Sequence, residues 1–311
     1  MPPMKRKLFG LSGLELQFAY EGLLKLQKSL VYDYDEEEEE EGRAPEKFGE
    51  QLKNMVSLLG SKLEGSRSYT FSGVTTDDST TFNITYTGML DLKPDFVQNV
   101  EKTKTLNFGL LRICIVNCIF WKVTFLGARV WIDAFLFRAT AMLPSNKRMV
   151  LSTDHVVPFT NISSTSLRKL YGIIDYIATV PIFDLMANIS FHDMKVNKPS
   201  SFFVIEAKLS DPSNHIAQAV SEIYACGKFL QQKVLRGALT NGHDWIFLLM
   251  KLNDDYNGAS YARSPQISLG IQPTWAELVI PNRTPDLIAG ILSHWINHSF
   301  SDLGSDDWFT V

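Results

Sequence analysis

The segment Ser201-Phe-Phe-Val-Ile-Glu-Ala-Lys-Leu209 sets the tightest limit on how this chain can fold. Phe202 to Ile205, together with Ala207, suit a strand buried on both faces, as in the middle of a sheet covered on each side. Glu206 and Lys208 interrupt that run two residues apart, so on a strand they point to the same side. A buried carboxylate or ammonium is costly unless it is paired, hydrogen-bonded or bound to a metal. Two further buried strands are predicted, Leu170–Ala178 (LYGIIDYIA) and Trp245–Met250 (WIFLLM). In the first of these, Asp175 closes the apolar run Gly-Ile-Ile.

Periodicity and punctuation supply the other elements. A helix is predicted over 128–143, with an apolar stripe through Val130, Ala134, Phe137 and Ala141 and a stop at Pro144. Met149–Val157 reads as a strand, and Pro181–Pro199 as a short helix or strand plus loop. Asp211-Pro212-Ser213 breaks the chain and caps a helix from about 214 to 235. Thr240-Asn-Gly242 is a turn, and Thr284-Pro285 opens a C-terminal helix ending near His298. The order from residue 128 is helix, three strands, helix, strand, which is an α/β core with a mixed sheet.

Upstream, residues 9–30 and 47–63 carry helical patterns and 67–90 one or two strands. Asp35 to Glu41 is uninterrupted acid, which repels itself and makes 32–46 a solvated loop. Binding of a basic partner is the alternative reading of that run. The division expected is an N-terminal extension of helical and irregular character over 1–105, an apolar insertion over 106–126, and the α/β core with its C-terminal strand and helix over 127–311.

The totals exclude some classes. Hydrophobic residues at 45% and charged residues at 21% fit a globular chain with a sizeable core. The net charge is −4; residues 1–100 hold 11 Lys+Arg against 17 Asp+Glu, which leaves 19 against 17 for the rest. Neither part is basic enough to announce nucleic acid by charge alone. Three cysteines, Cys114, Cys118 and Cys226, argue against a disulfide framework. No apolar signal region follows Lys5-Arg6-Lys7, so an intracellular site, nucleus or cytoplasm, is expected. Arg112, Lys122, Arg129 and Asp133 cut the apolar region 106–137 into runs too short for about 30 Å of hydrocarbon, so no membrane partner is expected. No P-loop, dinucleotide glycine fingerprint or nucleophile elbow occurs, so no nucleotide cofactor is expected.

Asp175, Glu206 and Lys208 converge if their two strands pair. Two carboxylates suit a hard cation such as Mg²⁺, which keeps several waters and needs only one or two protein carboxylates. Such a metal stabilises charge on a phosphoryl oxygen and lowers the pKa of a bound water. A neighbouring lysine orients that water and neutralises charge. The set suffices for phosphodiester hydrolysis. The plain alternative is a buried structural salt bridge between Lys208 and Asp175 or Glu206.

These residues and their element order resemble the PD-(D/E)XK nuclease superfamily, and in particular uncharacterised fungal members of it. The match lies in Asp175 of GIIDY and Glu206-Ala207-Lys208 of VIEAK, within a stretch of 128–251. The resemblance implies a restriction-endonuclease-like core of helix, three-stranded meander, helix and strand. It implies Asp175, Glu206 and the Ala207 carbonyl as ligands of Mg²⁺ or Mn²⁺, and Lys208 as the group that positions the attacking water. A glutamine on the second helix, matched by Gln218 in HIAQAVSEIYACGKF, would assist, whereas Glu222 reads as surface. Members of the family often carry an acid on the first helix; only Asp133 is offered there. The apolar run 106–125 reads as an insertion, or as a gene-prediction error that displaces the usual start of that helix.

His294 and His298 have zinc-ligand spacing, yet Trp295 stands where a metalloprotease would have Glu. Cys114 and Cys118 share that spacing but sit in an apolar run, where cysteine packs as a small hydrophobe. Lys195, Lys198, Lys228, Lys233 and Arg236 flank the proposed site and are candidate phosphate contacts. The expected function is metal-dependent cleavage of nucleic acid, with DNA the expected substrate. The alternative is an inactive nuclease-fold protein that binds nucleic acid or protein.

Overall fold

The computed structural model describes residues 21–26, 52–57, 68–95, 125–162, 169–181, 194–196, 198–270, 272–273, 278–279 and 284–310. The acidic run 32–46, the apolar stretch 106–124, Cys114 and Cys118 lie outside them, as do most of the helix predicted over 9–30 and most of 181–199.

Besides short helical stretches at 21–26, 52–57 and 194–196, the helices among the described residues are α1 (Thr76–Thr81), α2 (Phe125–Ala141), α3 (Ile216–Leu230) and α4 (Thr284–Asn297). The strands are β1 (Ser68–Thr70), β2 (Ile84–Met89), β3 (Asp91–Leu92), β4 (Val150–Asn161), β5 (Lys169–Val180), β6 (Ser201–Ala207), β7 (Val234–Thr240), β8 (Asp244–Leu252), β9 (Ala259–Arg263), β10 (Ile267–Ser268), β11 (Gln272–Pro273), β12 (Leu278–Val279) and β13 (Phe309–Thr310). The main sheet is mixed and runs β1-β5-β6-β7-β8-β9-β2, with β4 along β5 and β10 against β8.

The middle of that sheet follows from the β6 sequence. All seven of its residues are buried. Phe202 and Val204 face one apolar layer, with Val220, Ile223 and Tyr224 of α3. Phe203, Ile205 and Ala207 face the other, with Phe135 of α2 and Ile291, Leu292 and Trp295 of α4. Helices on both faces are why this strand reads as a continuous apolar run rather than an alternating one.

Chain order around β6 is α2, then the antiparallel β4, β5 and β6, then α3, then β7 parallel to β6. The helices predicted over 128–143, 214–235 and from Thr284 are present, as are the strands at 150, 170 and 201, whereas the helix predicted over 47–63 lies mostly outside the described residues. The strand after α3, however, is β7 (VLRGALT) rather than WIFLLM, which forms β8 antiparallel to it. β7 escapes a pattern reading because Arg236 and Gly237 interrupt its apolar residues, and α3 stops at Leu230 instead of reaching 235. Its end is a left-handed Gln231, whose N–H bonds back to Gly227.

Two strands from the stretch assigned to an N-terminal extension enter the same sheet. β1 pairs in parallel with the start of β5, and β2 pairs in parallel with β9. Because β4 lies along the whole of β5 on one side, β1 and β6 share the other side. They leave Gly172 to Asp175 between them, where the edge forks open.

Arg236 is fully enclosed, so it is no phosphate contact. Its guanidinium lies 2.6 Å from Asp307 and donates to the carbonyls of Ser301 and Asp302, which fastens the C-terminal segment to the sheet. Two of the flanking lysines are also engaged. Lys228 donates to the Ile162 carbonyl at 2.7 Å, and Lys233 to the Asn253 carbonyl at 2.7 Å. Among the described residues no helix is long and apolar enough to cross a membrane.

Gly237 lets α3 approach the sheet. A Cβ there would stand 2.6 Å from Ile223 Cδ1 and 2.8 Å from the Val204 carbonyl oxygen, a backbone atom with nowhere to go. Gly237→Ala is expected to cost about 1–3 kcal/mol through overpacking, read as a lower urea midpoint; an unchanged midpoint would show that α3 can lift without cost.

Candidate functional site

The site forms where β5 and β6 part. Tyr176 opposite Ile205 is the last registered pair of that ladder, and the next residues outward are Asp175 and Glu206. The Asp175 side chain takes over from the backbone there: its Oδ2 accepts the Ala207 N–H at 3.0 Å. The alternation of β5 slips at the same point. Ile174 and Ile177 both join the α3 layer, while Tyr176 joins the opposite one. An irregularity of this kind re-aims a side chain, here a carboxylate.

Glu206, Lys208, Gln218 and Glu222 make the inner half of the site. Lys208 Nζ lies 2.7 Å from Glu206 Oε1. The Gln218 amide donates to Glu206 Oε1 at 2.6 Å and to Glu222 Oε1 at 2.9 Å. Local sequence explains the placing. Asp211 accepts the Ser213 N–H at 3.0 Å and Pro212 opens a turn of 3-10 helix, so α3 begins close to the end of β6. Gln218 and Glu222, one turn apart, then face the strand. Glu222 is therefore not a surface residue: it is fully buried, and its placement is the main correction to the sequence reading.

Electrostatics in this half are those of a dry acid pair. Burial, then the repulsion of Glu222 and Asp175, push Glu206 well above the usual carboxylate range; Lys208 pulls the other way without cancelling them. Burial likewise raises Glu222, to about 7, against the pull of Lys208 and of its hydrogen bonds with Gln218 and Glu206. Two carboxyl groups facing one ammonium hold a proton between them, and it belongs to the pair.

The outer half consists of Arg129, Asp154, Tyr176 and Asp133. Arg129, one helical turn before Asp133 on α2, makes a fork onto Asp154 (Nη2–Oδ1 2.7 Å, Nη1–Oδ2 3.2 Å) and reaches Asp175 Oδ1 from Nη2 at 3.0 Å. Its guanidinium stands 5.5 Å from the Tyr176 ring centre. Burial opposes its charge, but Asp154 and Asp175 outweigh that, so its pKa is raised. Asp133 is brought to Tyr176, whose hydroxyl it hydrogen-bonds; burial raises its pKa, and Tyr176 and Arg129 hold the rise in check.

The structure thus brings together Asp175, Ala207, Glu206, Lys208 and Gln218, with Asp133 one layer out. Sequence reasoning missed Arg129 and Asp154, which have no local signal, and undervalued Glu222, whose signal was a lone acid flanked by Ala219, Val220, Ile223 and Tyr224. The rings of His294 and His298 lie 4.4 Å apart, tilted by 35°, and His298 Nδ1 meets the His294 carbonyl. Among the described residues no group of three or more His, Cys, Asp and Glu side chains is arranged to hold a metal. For a hard cation that keeps its waters, the carboxylates present fit nonetheless. Glu206 Oε2 and Glu222 Oε2 are buried with no hydrogen-bond partner, which leaves acceptor oxygens in the cluster. A scan against models of known protein families finds no match for this chain, and no curated protein matches it in sequence.

The raised acid pair fixes a sign. Its folded-state pKa lies above the unfolded value of 4.5, so the folded protein binds more protons and loses stability as pH rises from about 4.5 through 7. Glu222→Gln mimics the protonated form and leaves one carboxylate for one ammonium. The variant is expected to be more stable than wild type at pH 8 by on the order of 1–3 kcal/mol, and close to it at pH 5. Urea denaturation at the two pH values tests this, and parallel pH profiles would refute it.

Proposed function

We propose that this chain is a metal-dependent nuclease built on a restriction-endonuclease-like core, with DNA as the substrate to test first. The observation that carries the reading is the meeting of Asp175, Glu206, Lys208 and Gln218 where β5 and β6 diverge. The order α2, β4-β5-β6, α3 and a parallel β7 supports it as the arrangement that such a core requires.

Asp175 and Glu206, with the Ala207 carbonyl, would hold Mg²⁺ or Mn²⁺. When bound, the cation supplies charge stabilisation at the phosphoryl oxygens and a more acidic water. Lys208 is a fifth exposed, with its ammonium at the mouth of the buried pair, so it can orient the attacking water and meet the charge that develops on phosphorus-bound oxygen. Gln218 holds Glu206 and Glu222 by one amide nitrogen, which fixes where the Glu206 carboxylate points.

A second reading has its own support. Each expected metal ligand already faces a cation, Asp175 with Arg129 and Glu206 with Lys208. This closed ion-pair network suits an inactive nuclease-fold module that binds nucleic acid or protein.

Cleavage assays on single- and double-stranded DNA and RNA with Mg²⁺ or Mn²⁺ separate the two. The nuclease reading expects cleavage that EDTA abolishes and that Lys208→Ala lowers by roughly 100-fold or more. No cleavage on any substrate, while Lys208→Ala only lowers the melting temperature, would leave the second reading standing, and metal-independent cleavage would count against both.

A further inference from the structure

Asp154 is the backbone outlier of the sheet. It lies in the middle of β4 with φ 52°, the left-handed region, and the β4–β5 register skips it between Thr153↔Tyr176 and His155↔Ile174. The residue facing it across that gap is Asp175. Like charges opposite one another in a ladder are destabilising, and strain of this kind persists only where the surroundings enforce it. What enforces it is Arg129, whose fork takes both oxygens of Asp154 and whose Nη2 also reaches Asp175.

We propose that Arg129 is an internal competitor of the divalent cation at Asp175: its guanidinium occupies the cation's side of that carboxylate, and Asp175 must release it to take the metal. The proposal rests on the nuclease reading, which makes Asp175 a ligand. Three features favour it. Asp175 Oδ2 accepts the Ala207 N–H and Arg129 sits on Oδ1 at 3.0 Å, so a cation arriving at Oδ1 meets the guanidinium. A guanidinium cannot shed its charge, so coexistence with a divalent ion a few ångströms away is repulsive at any working pH. Asp154 is over a third exposed and holds Arg129 by two bonds, so it keeps the guanidinium when Asp175 lets go. The exchange is reversible, with Asp154 as the resting place and the Tyr176 ring 5.5 Å from the guanidinium carbon.

The test is calorimetric titration of Mn²⁺ into the full chain freed of metal by EDTA and dialysis, for wild type, Arg129→Gln and Arg129→Lys. Melting temperatures are taken with and without saturating Mn²⁺. Removing the fixed charge is expected to tighten Mn²⁺ binding roughly tenfold or more in Arg129→Gln. Its metal-free melting temperature falls, and Mn²⁺ raises it further than in wild type. Arg129→Lys keeps the charge without the fork and falls between. If wild type binds Mn²⁺ and Arg129→Gln binds it equally or more weakly, Arg129 is a support for Asp175 and the proposal is overturned. Should Arg129→Gln not fold, Arg129→Lys decides: tighter binding than wild type supports competition, and equal or weaker binding overturns it. Failure of all three proteins to bind Mn²⁺ overturns the metal site of the nuclease reading, and the competition with it.

Discussion

A carboxylate near the end of a strand buried on both faces is the constraint around which this structure is arranged. Glu206 follows four apolar residues that have no choice but the middle of a covered sheet, so its charge has little water to turn to. Each neighbour answers that problem. Lys208 returns on the same side two residues later, and α3 starts close enough to bring the Gln218 amide within 2.6 Å. Gly237 in the adjoining strand leaves room for α3 to sit that low. The arrangement remains incompletely neutralised, since Glu222 adds a second acid to a pocket with one ammonium.

Two buried charge systems in the protein differ in what they leave over. Arg236 and Asp307 lie away from the fork of β5 and β6, bound up with the Ser301 and Asp302 carbonyls and the Trp295 indole N–H, and their work is to hold the C-terminal segment on the sheet. The Glu206 cluster keeps carboxyl oxygens of Glu206 and Glu222 without a hydrogen-bond partner, and both acids have raised pKa values. Removing either charge from an enclosed pair is costly, but the first system sets Asp307 against the Arg236 guanidinium, whereas the second gathers two acids, Glu206 and Glu222, around the ammonium of Lys208. Strain points to the same place. The slip at Asp175 and the left-handed Asp154 lie opposite one another, at the only non-glycine position of a main-sheet strand, among the described residues, with positive φ.

Much of this was readable beforehand because it depends on short-range pattern. The buried character of β5, β6 and β8, the helices on either side of the meander, and the pairing of an Asp with a Glu-x-Lys all follow from apolar runs and their interruptions. The reading failed wherever a polar residue was buried by a distant partner. Arg236 made VLRGALT look unlike a strand and look like a phosphate contact, although Asp307, 71 positions later, accounts for it. Glu222 reads as surface in the sequence because nothing local shows that its helix face meets the end of β6.

The sequence by itself determined the layered α/β class and three members of the inner half of the site, Glu206, Lys208 and Gln218, because alternation, caps and charge spacing act within a few residues of each other. Only the tertiary structure decided that Glu222 completes an acid pair, that Arg129 and Asp154 join Asp175, and that residues 68–89 enter the sheet beside β5 and β9. Those contacts join residues from 16 to more than 170 positions apart. Their energy comes from shared burial and opposed charge, which no local pattern of residues encodes.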